Sequence, residues 1–188
     1  MKHSEVRNRI IETASTLFYE KGYNSTGINE IIAESGIAKA TLYSHFKSKE
    51  DICLAYLQFK DAVFIKDIEA FALSKPKGLD QVLAVFGFLK LYFKDKDFNG
   101  CWCLKTVAEI PKDNDRVRNE IQAQKRGLIK LIETLILSNL EVEAEQAGSL
   151  ARKVYLLYES AIGESHLHKE DWPIIEAQEL CAQLFKAF

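Results

Sequence analysis

Apolar residues recur every three or four positions along almost the whole chain, and no window alternates them with period two. That periodicity selects helices with one buried face and leaves no half-buried strand from which to build a sheet. Breakers punctuate the pattern at Gly22, Ser35-Gly36, Phe46 to Ser48, Ser74 to Gly78, residues 94–97, residues 111–113, Leu137 to Asn139 and His166 to Trp172. The expectation is an all-α chain of about nine helices, the first three enclosing two short ones. The long helices fall near 49–72, 79–95, 98–110, 114–138, 142–164 and 171–187. Nine Gly and three Pro in 188 residues, with 47% hydrophobic content, exclude disordered and collagen-like classes.

The longest apolar stretch, Val82 to Leu89, is too short to cross a bilayer, and the amino terminus carries no basic-then-apolar signal. Four cysteines without framework spacing fit a reducing compartment. The expectation is a cytoplasmic protein without membrane attachment. Net charge is −2, but residues 1–49 hold seven Lys/Arg against five Asp/Glu, a local +2 on a mildly acidic body. Such an excess permits a phosphate-facing segment without demanding one.

The informative stretch is Thr26 to Lys49, TGINEIIAESGIAKATLYSHFKSK. Two short helices joined by a turn containing Gly36 have the dimensions of a helix-turn-helix. Leu17, Phe18, Ile28, Ile31, Ile37, Leu42 and Phe46 would form an apolar platform beneath the second short helix. That helix, about Ala38 to His45, could then present polar side chains to a major groove. Ser48 and Asp51 have capping spacing at the start of the following long helix.

Phe18, Gly22-Tyr23, Thr26, Ile31, Ala33, Gly36, Thr41-Leu42-Tyr43, Phe46 and Lys49-Glu50 together closely resemble the amino-terminal domain of the tetracycline-repressor (TetR) family. The resemblance covers about residues 6–57, and beyond them only helix number and length match. It implies a three-helix DNA-binding domain at 1–48 and a larger helical ligand-binding and dimerisation domain at 49–188. It also implies that Tyr43 and Lys49 meet DNA phosphates, and that Thr26 caps the second helix and can face phosphate. Lys39 and Thr41 would stand at the start of the recognition helix, and base readout would fall to Lys39, Ala40, Ser44 and His45. The chain departs from the family pattern in Ala38, Ala40 and His45, which leaves the operator sequence open. Taken singly, Tyr43 and His45 read equally as helix-surface residues, and Lys47 and Lys49 as a solvated pair.

In the penultimate helix Ala147, Leu150, Val154, Leu157 and Ala161 form one apolar stripe, and Ala151, Tyr155, Tyr158 and Ile162 a second. The last helix repeats the pattern through Ile174, Ala177, Cys181, Leu184 and Phe188. Two stripes can serve two partners, the chain's own core and a second copy, or both can belong to a monomeric core. The resemblance predicts a homodimer through the last two helices, with the recognition helices about one DNA turn apart on a palindromic operator.

The resemblance also implies a cavity for a small apolar or amphipathic ligand among the helices of the larger domain, so that ligand binding releases a repressor from DNA. Cys101, Trp102, Tyr155 and Tyr158 are the candidate lining residues, although each taken alone reads first as core. Asn99-Gly100-Cys101 reads as the start of a helix, where a thiolate would be favoured, so a cysteine-based redox or electrophile sensor is the alternative. Cys53 and Cys181 read as structural. Cys101 with Cys103, and His166 with His168, are spaced poorly for chelation on a helix, and no metal or cofactor is expected. A small helical enzyme is the weakest reading, because no phosphate loop, His-Glu-x-x-His or nucleophile elbow occurs.

Overall fold

The computed structural model describes residues 3–186, and among these every regular element is a helix. The order is α1 (His3–Lys21), α2 (Ile28–Ser35), α3 (Lys39–His45), α4 (Lys49–Leu73), α5 (Leu79–Phe93), α6 (Trp102–Glu109), α7 (Asp115–Asn139), α8 (Ala144–His168) and α9 (Trp172–Lys186). They form two compact units. One holds the chain up to Val63 together with Trp102–Ala123, and the other holds Phe64–Cys101 with Gln124 onward. α4 and α7 therefore each contribute to both.

In the first unit α1 buries Ile10, Ala14, Leu17 and Phe18 along one face, with Val6 of the same stripe partly exposed. Gly22, at φ 93°, ends it in the left-handed region and donates its N–H to the Phe18 carbonyl at 3.1 Å. Gly36, at φ 62°, ends α2 in the same way, with the Ile37 N–H reaching the Ile32 carbonyl. The expected cap of α2 is corrected here. Its N-cap is Gly27, which has no side chain to offer, while the Thr26 hydroxyl donates backwards to Gly22 O at 2.8 Å and Leu17 O at 3.2 Å. Thr26 thus satisfies the exposed end of α1 instead. At the start of α4, Ser48 Oγ accepts the Asp51 N–H at 3.1 Å, as the spacing predicted.

In the second unit α8 packs on α9 and α5, and α5 on α9. Phe88 lies between Phe64 and Phe71, both at 5.8 Å between ring centroids, and Phe86 meets Tyr158 at 6.2 Å. Two boundaries differ from expectation by about one turn. α6 starts at Trp102, because Gly100 at φ 74° cannot continue or begin a right-handed turn. α8 continues to His168, because Lys169 takes the left-handed cap position at φ 57° and donates its N–H to Ser165 O.

The division of the two α8 stripes also differs. Ala147, Leu150, Val154 and Ala161 are buried, and so are Ala151, Tyr158 and Ile162, so both stripes lie largely inside the chain. A helix flanked by α5 and α9 needs a wide apolar arc rather than two separate faces. The apolar residues left exposed are others: Leu156 and Leu167 on α8, with Trp172, Ile175 and Leu180 on α9. On α9, Ile174, Ala177 and Cys181 are buried as expected, whereas Phe188 lies outside the described residues.

Candidate functional site

α3 is only seven residues long, and its two sides differ sharply. Leu42 is fully buried, Phe46, the C-cap of α3, is 4% exposed, and the other platform residues Ile31 and Phe18 are 0% and 3% exposed. Lys39, Ala40, Tyr43 and Ser44 are exposed, and their spacing places them on one face of the helix. Thr41 and His45 are partly buried on its flanks. The Ser44 hydroxyl currently donates to Thr41 O at 2.7 Å, and Ala38 makes no side-chain cap to the first turn. A short helix fixed by two apolar anchors thus offers a lysine, a methyl, a phenol and a hydroxyl outward.

Cations frame this face. The Arg7 guanidinium lies 5.1 Å from the Phe46 ring, and the Lys49 ammonium 4.3 Å from the Tyr23 ring. Burial lowers the Lys49 pKa from its ordinary value, with Cys53 and Glu109 acting the other way. Lys49 is therefore held in place by an aromatic face rather than waving in solvent. Thr26 is 0% exposed, so its hydroxyl does not face solvent, whereas the other seven predicted DNA residues keep some exposure.

The first unit continues from this interface into α6 and α7. Arg116 bonds Asp51 at 2.7 Å and Glu50 at 3.1 Å, while Lys105 donates to Tyr19 O at 2.8 Å. Trp102 is buried here, with the Lys60 ammonium 5.6 Å from its ring and 4.4 Å from that of Tyr19.

The other predicted ligand-lining residues belong to the second unit. Cys101 is buried and its Sγ accepts from Lys125 Nζ at 3.2 Å, while Lys125 also pairs with Glu159 at 2.6 Å. Tyr158 is fully buried, and its hydroxyl has no hydrogen-bond partner. Burial pushes its pKa well up, with the charges of Glu159 and Cys101 acting in the same direction. Tyr155 is partly buried on the same helix. The sequence pointed to Cys101 and Tyr158 but gave no sign of Lys125 or Glu159, which look like surface charges in a linear reading.

Cys53 and Cys181 behave as packing residues. Burial pushes the Cys53 and Cys181 thiols up to about 12. His166 and His168 diverge on α8. The first lies 3.0 Å from Asn99 Oδ1, and the second pairs with Glu164 at 3.3 Å and packs on Trp172. Among the described residues no helix is long and apolar enough to cross a membrane.

A family model described as bacterial regulatory proteins, tetR family, matches residues 10–56. The uncharacterized HTH-type transcriptional regulator YerO of Bacillus subtilis is 40% identical over 76 residues, which cover 39% of this chain and 26% of YerO. The match thus spans about a quarter of that relative's length. The HTH-type transcriptional repressor NemR of Escherichia coli is 24% identical over 135 residues, covering 70% of this chain and 68% of NemR. A crystal structure of a TetR-family transcriptional regulator from Streptomyces coelicolor superposes with a TM-score of 0.86 at 28% identity, covering 98% of this chain and 96% of that one.

Proposed function

The chain belongs to the tetR family of bacterial regulatory proteins, and from that premise we propose that it is a cytoplasmic homodimeric repressor that a small ligand releases from a palindromic operator. The observation that carries the reading is the two-sidedness of α3, with Leu42 and Phe46 anchored and Lys39, Ala40, Tyr43 and Ser44 outward. Tyr43, Thr41 and Lys49 would fix the protein on phosphates, which positions without specifying. Lys39, Ala40, Ser44 and His45 would read bases, the Ala40 methyl suiting a thymine methyl. Thr26 supports this surface from beneath by closing the end of α1. Residues 1–48 form the DNA-binding domain in this reading, and 49–188 the part that binds ligand and dimerises.

A single dimer places two recognition helices about 34 Å apart, one turn of duplex. The ligand site would include Cys101, Tyr155 and Tyr158 of the second unit. A ligand acts only if it binds one spacing of the recognition helices better than the other. The test is selection of duplexes from a random pool by wild type, Tyr43→Ala and Lys49→Ala. A palindrome recovered by wild type, with both variants weaker on every sequence and binding that falls steeply with salt, supports the reading. Equal enrichment by all three proteins overturns it.

The contact between Lys125 and Cys101 favours a second reading, in which the effector is a soft electrophile and Cys101 the sensor. An adjacent ammonium favours the thiolate, the reactive form. Intact mass after brief N-ethylmaleimide treatment of the folded protein tests it. Modification must disappear in Cys101→Ser and slow in Lys125→Gln.

A further inference from the structure

The second unit contains a cavity of about 340 Å³ where the ends of α5 and α8 meet the 94–101 connection, and it includes none of Cys101, Trp102, Tyr155 and Tyr158. That volume lies at the lower end of the range for small-molecule sites, roughly 300–1,000 Å³. Ser165 lines it and is 0% exposed, yet its hydroxyl has no hydrogen-bond partner. Ser35, equally buried in another helix, returns its hydroxyl to the carbonyl one turn back, Ile31 O. Ser165 makes no such back-bond, so a donor closed off from water behind the cavity is left unsatisfied, an arrangement that proteins generally avoid.

The walls are aromatic and held from behind. Phe98 meets Phe93 at 5.3 Å edge-on, and also the His166 ring at 6.0 Å. His166 in turn lies 3.0 Å from Asn99 Oδ1. Its ring also covers Gly100, where a Cβ would come within 3.0 Å of His166 Cγ. The rim carries one charge of each sign, Asp95 and Lys169. Both are exposed, and among the described residues neither forms an ion pair with the other. Two opposite charges facing one cavity without meeting suit a ligand that carries both complements.

We propose that this cavity binds a small zwitterion with an aromatic tail, of which an aromatic α-amino acid is the simplest. The ring lies against Phe93 and Phe98, the ammonium faces Asp95, and the carboxylate faces Lys169. A singly charged ligand leaves one rim charge uncomplemented, so charge rather than shape sets the selectivity.

Titration calorimetry on the 188-residue chain with three probes that share a phenylethyl group tests this. The probes are L-phenylalanine, phenethylamine and hydrocinnamate. L-phenylalanine should bind about tenfold more tightly than either singly charged analogue, the discrimination expected of one polar contact. Asp95→Asn should weaken L-phenylalanine toward the affinity of hydrocinnamate, and Lys169→Gln toward that of phenethylamine. Both substitutions are on exposed side chains, and unchanged circular dichroism confirms that the variants are folded. Absence of L-phenylalanine binding at millimolar concentration, equal affinity for all three probes, or indifference to both rim substitutions overturns the proposal. None of these outcomes touches the DNA-binding reading, which rests on α3.

Discussion

The Glu109 carboxylate accepts the main-chain N–H of Asn24 at 2.6 Å, and the Glu109 main-chain oxygen accepts the Asn24 side-chain amide at 2.9 Å. This reciprocal pair, 85 residues apart in sequence, fastens the end of α6 to the turn that follows α1. Gly22 makes the approach possible, because a Cβ there would run into the same carboxylate at a φ of 93°. Gly22→Ala should therefore cost about 2 kcal/mol, part left-handed strain and part lost carboxylate bonding. In a Glu109→Ala background the same change should cost only the strain, about 1 kcal/mol. Urea midpoints of the four proteins measure the difference, and strict additivity would show that the two sites do not communicate.

The Glu109–Asn24 pair also marks the limit of what the chain discloses in one dimension. Short-range signals were legible. The breaks at Gly22 and Gly36 and the Ser48–Asp51 cap all act within one or two turns, and all appear where the spacing predicts them. Long-range partners were not. Lys125 reads as an exposed charge until α7 brings it to Cys101 and Glu159. Thr26 was read as a cap pointing forward, but a hydroxyl there can reach either helix end, and the open carbonyl of Gly22 won. On α8 periodicity located the apolar positions without saying which helix covers them. That is why Leu156 and Leu167, outside both stripes, remain exposed.

The start of α4 should show its electrostatics in acid. The Arg116 hydrogen bond, aided by Ser48 and the Lys47 N–H, holds the Asp51 carboxyl below its usual range. A depressed carboxyl contributes stability above its unfolded pKa, near 4, and loses it as pH falls through the lower folded value. Asp51→Asn should therefore lower Tm at neutral pH, and the gap to wild type should close below about pH 4. A gap that stays constant into strong acid would mean that packing, not charge, carries the contribution. Ser48→Ala removes the cap together with one of the contacts that hold the Asp51 carboxyl low, so it should cost about 1 kcal/mol at neutral pH and less in strong acid.

The exposed apolar residues of α8 and α9 bear on assembly. Leu156 is 65% and Leu167 71% exposed, on the two helices proposed to pair with a second copy. Leu167→Glu should give a monomer by analytical ultracentrifugation and abolish tight binding to a two-half-site duplex, while weak salt-sensitive binding persists. Leu104→Glu on α6, also at an exposed leucine, is the control and should leave the dimer intact. If both variants remain dimeric, the pairing surface lies elsewhere.

Tyr158 sets stability against response. Its hydroxyl is fully buried without a partner, which costs a folded protein about 1–3 kcal/mol relative to a paired or absent group. Tyr158→Phe keeps the ring against Phe86 and removes only the oxygen, so no cavity of any size is created. The free protein should then melt higher, by the few degrees that about 1 kcal/mol represents in a chain of this length. The hydroxyl persists in the native chain, on the proposed reading, because the effector supplies its missing partner. Operator complexes of Tyr158→Phe should accordingly resist an effector that dissociates wild type, while affinity for DNA alone is unchanged. A variant no more stable than wild type, yet still released normally, would make Tyr158 a plain core residue and move the effector site away from it.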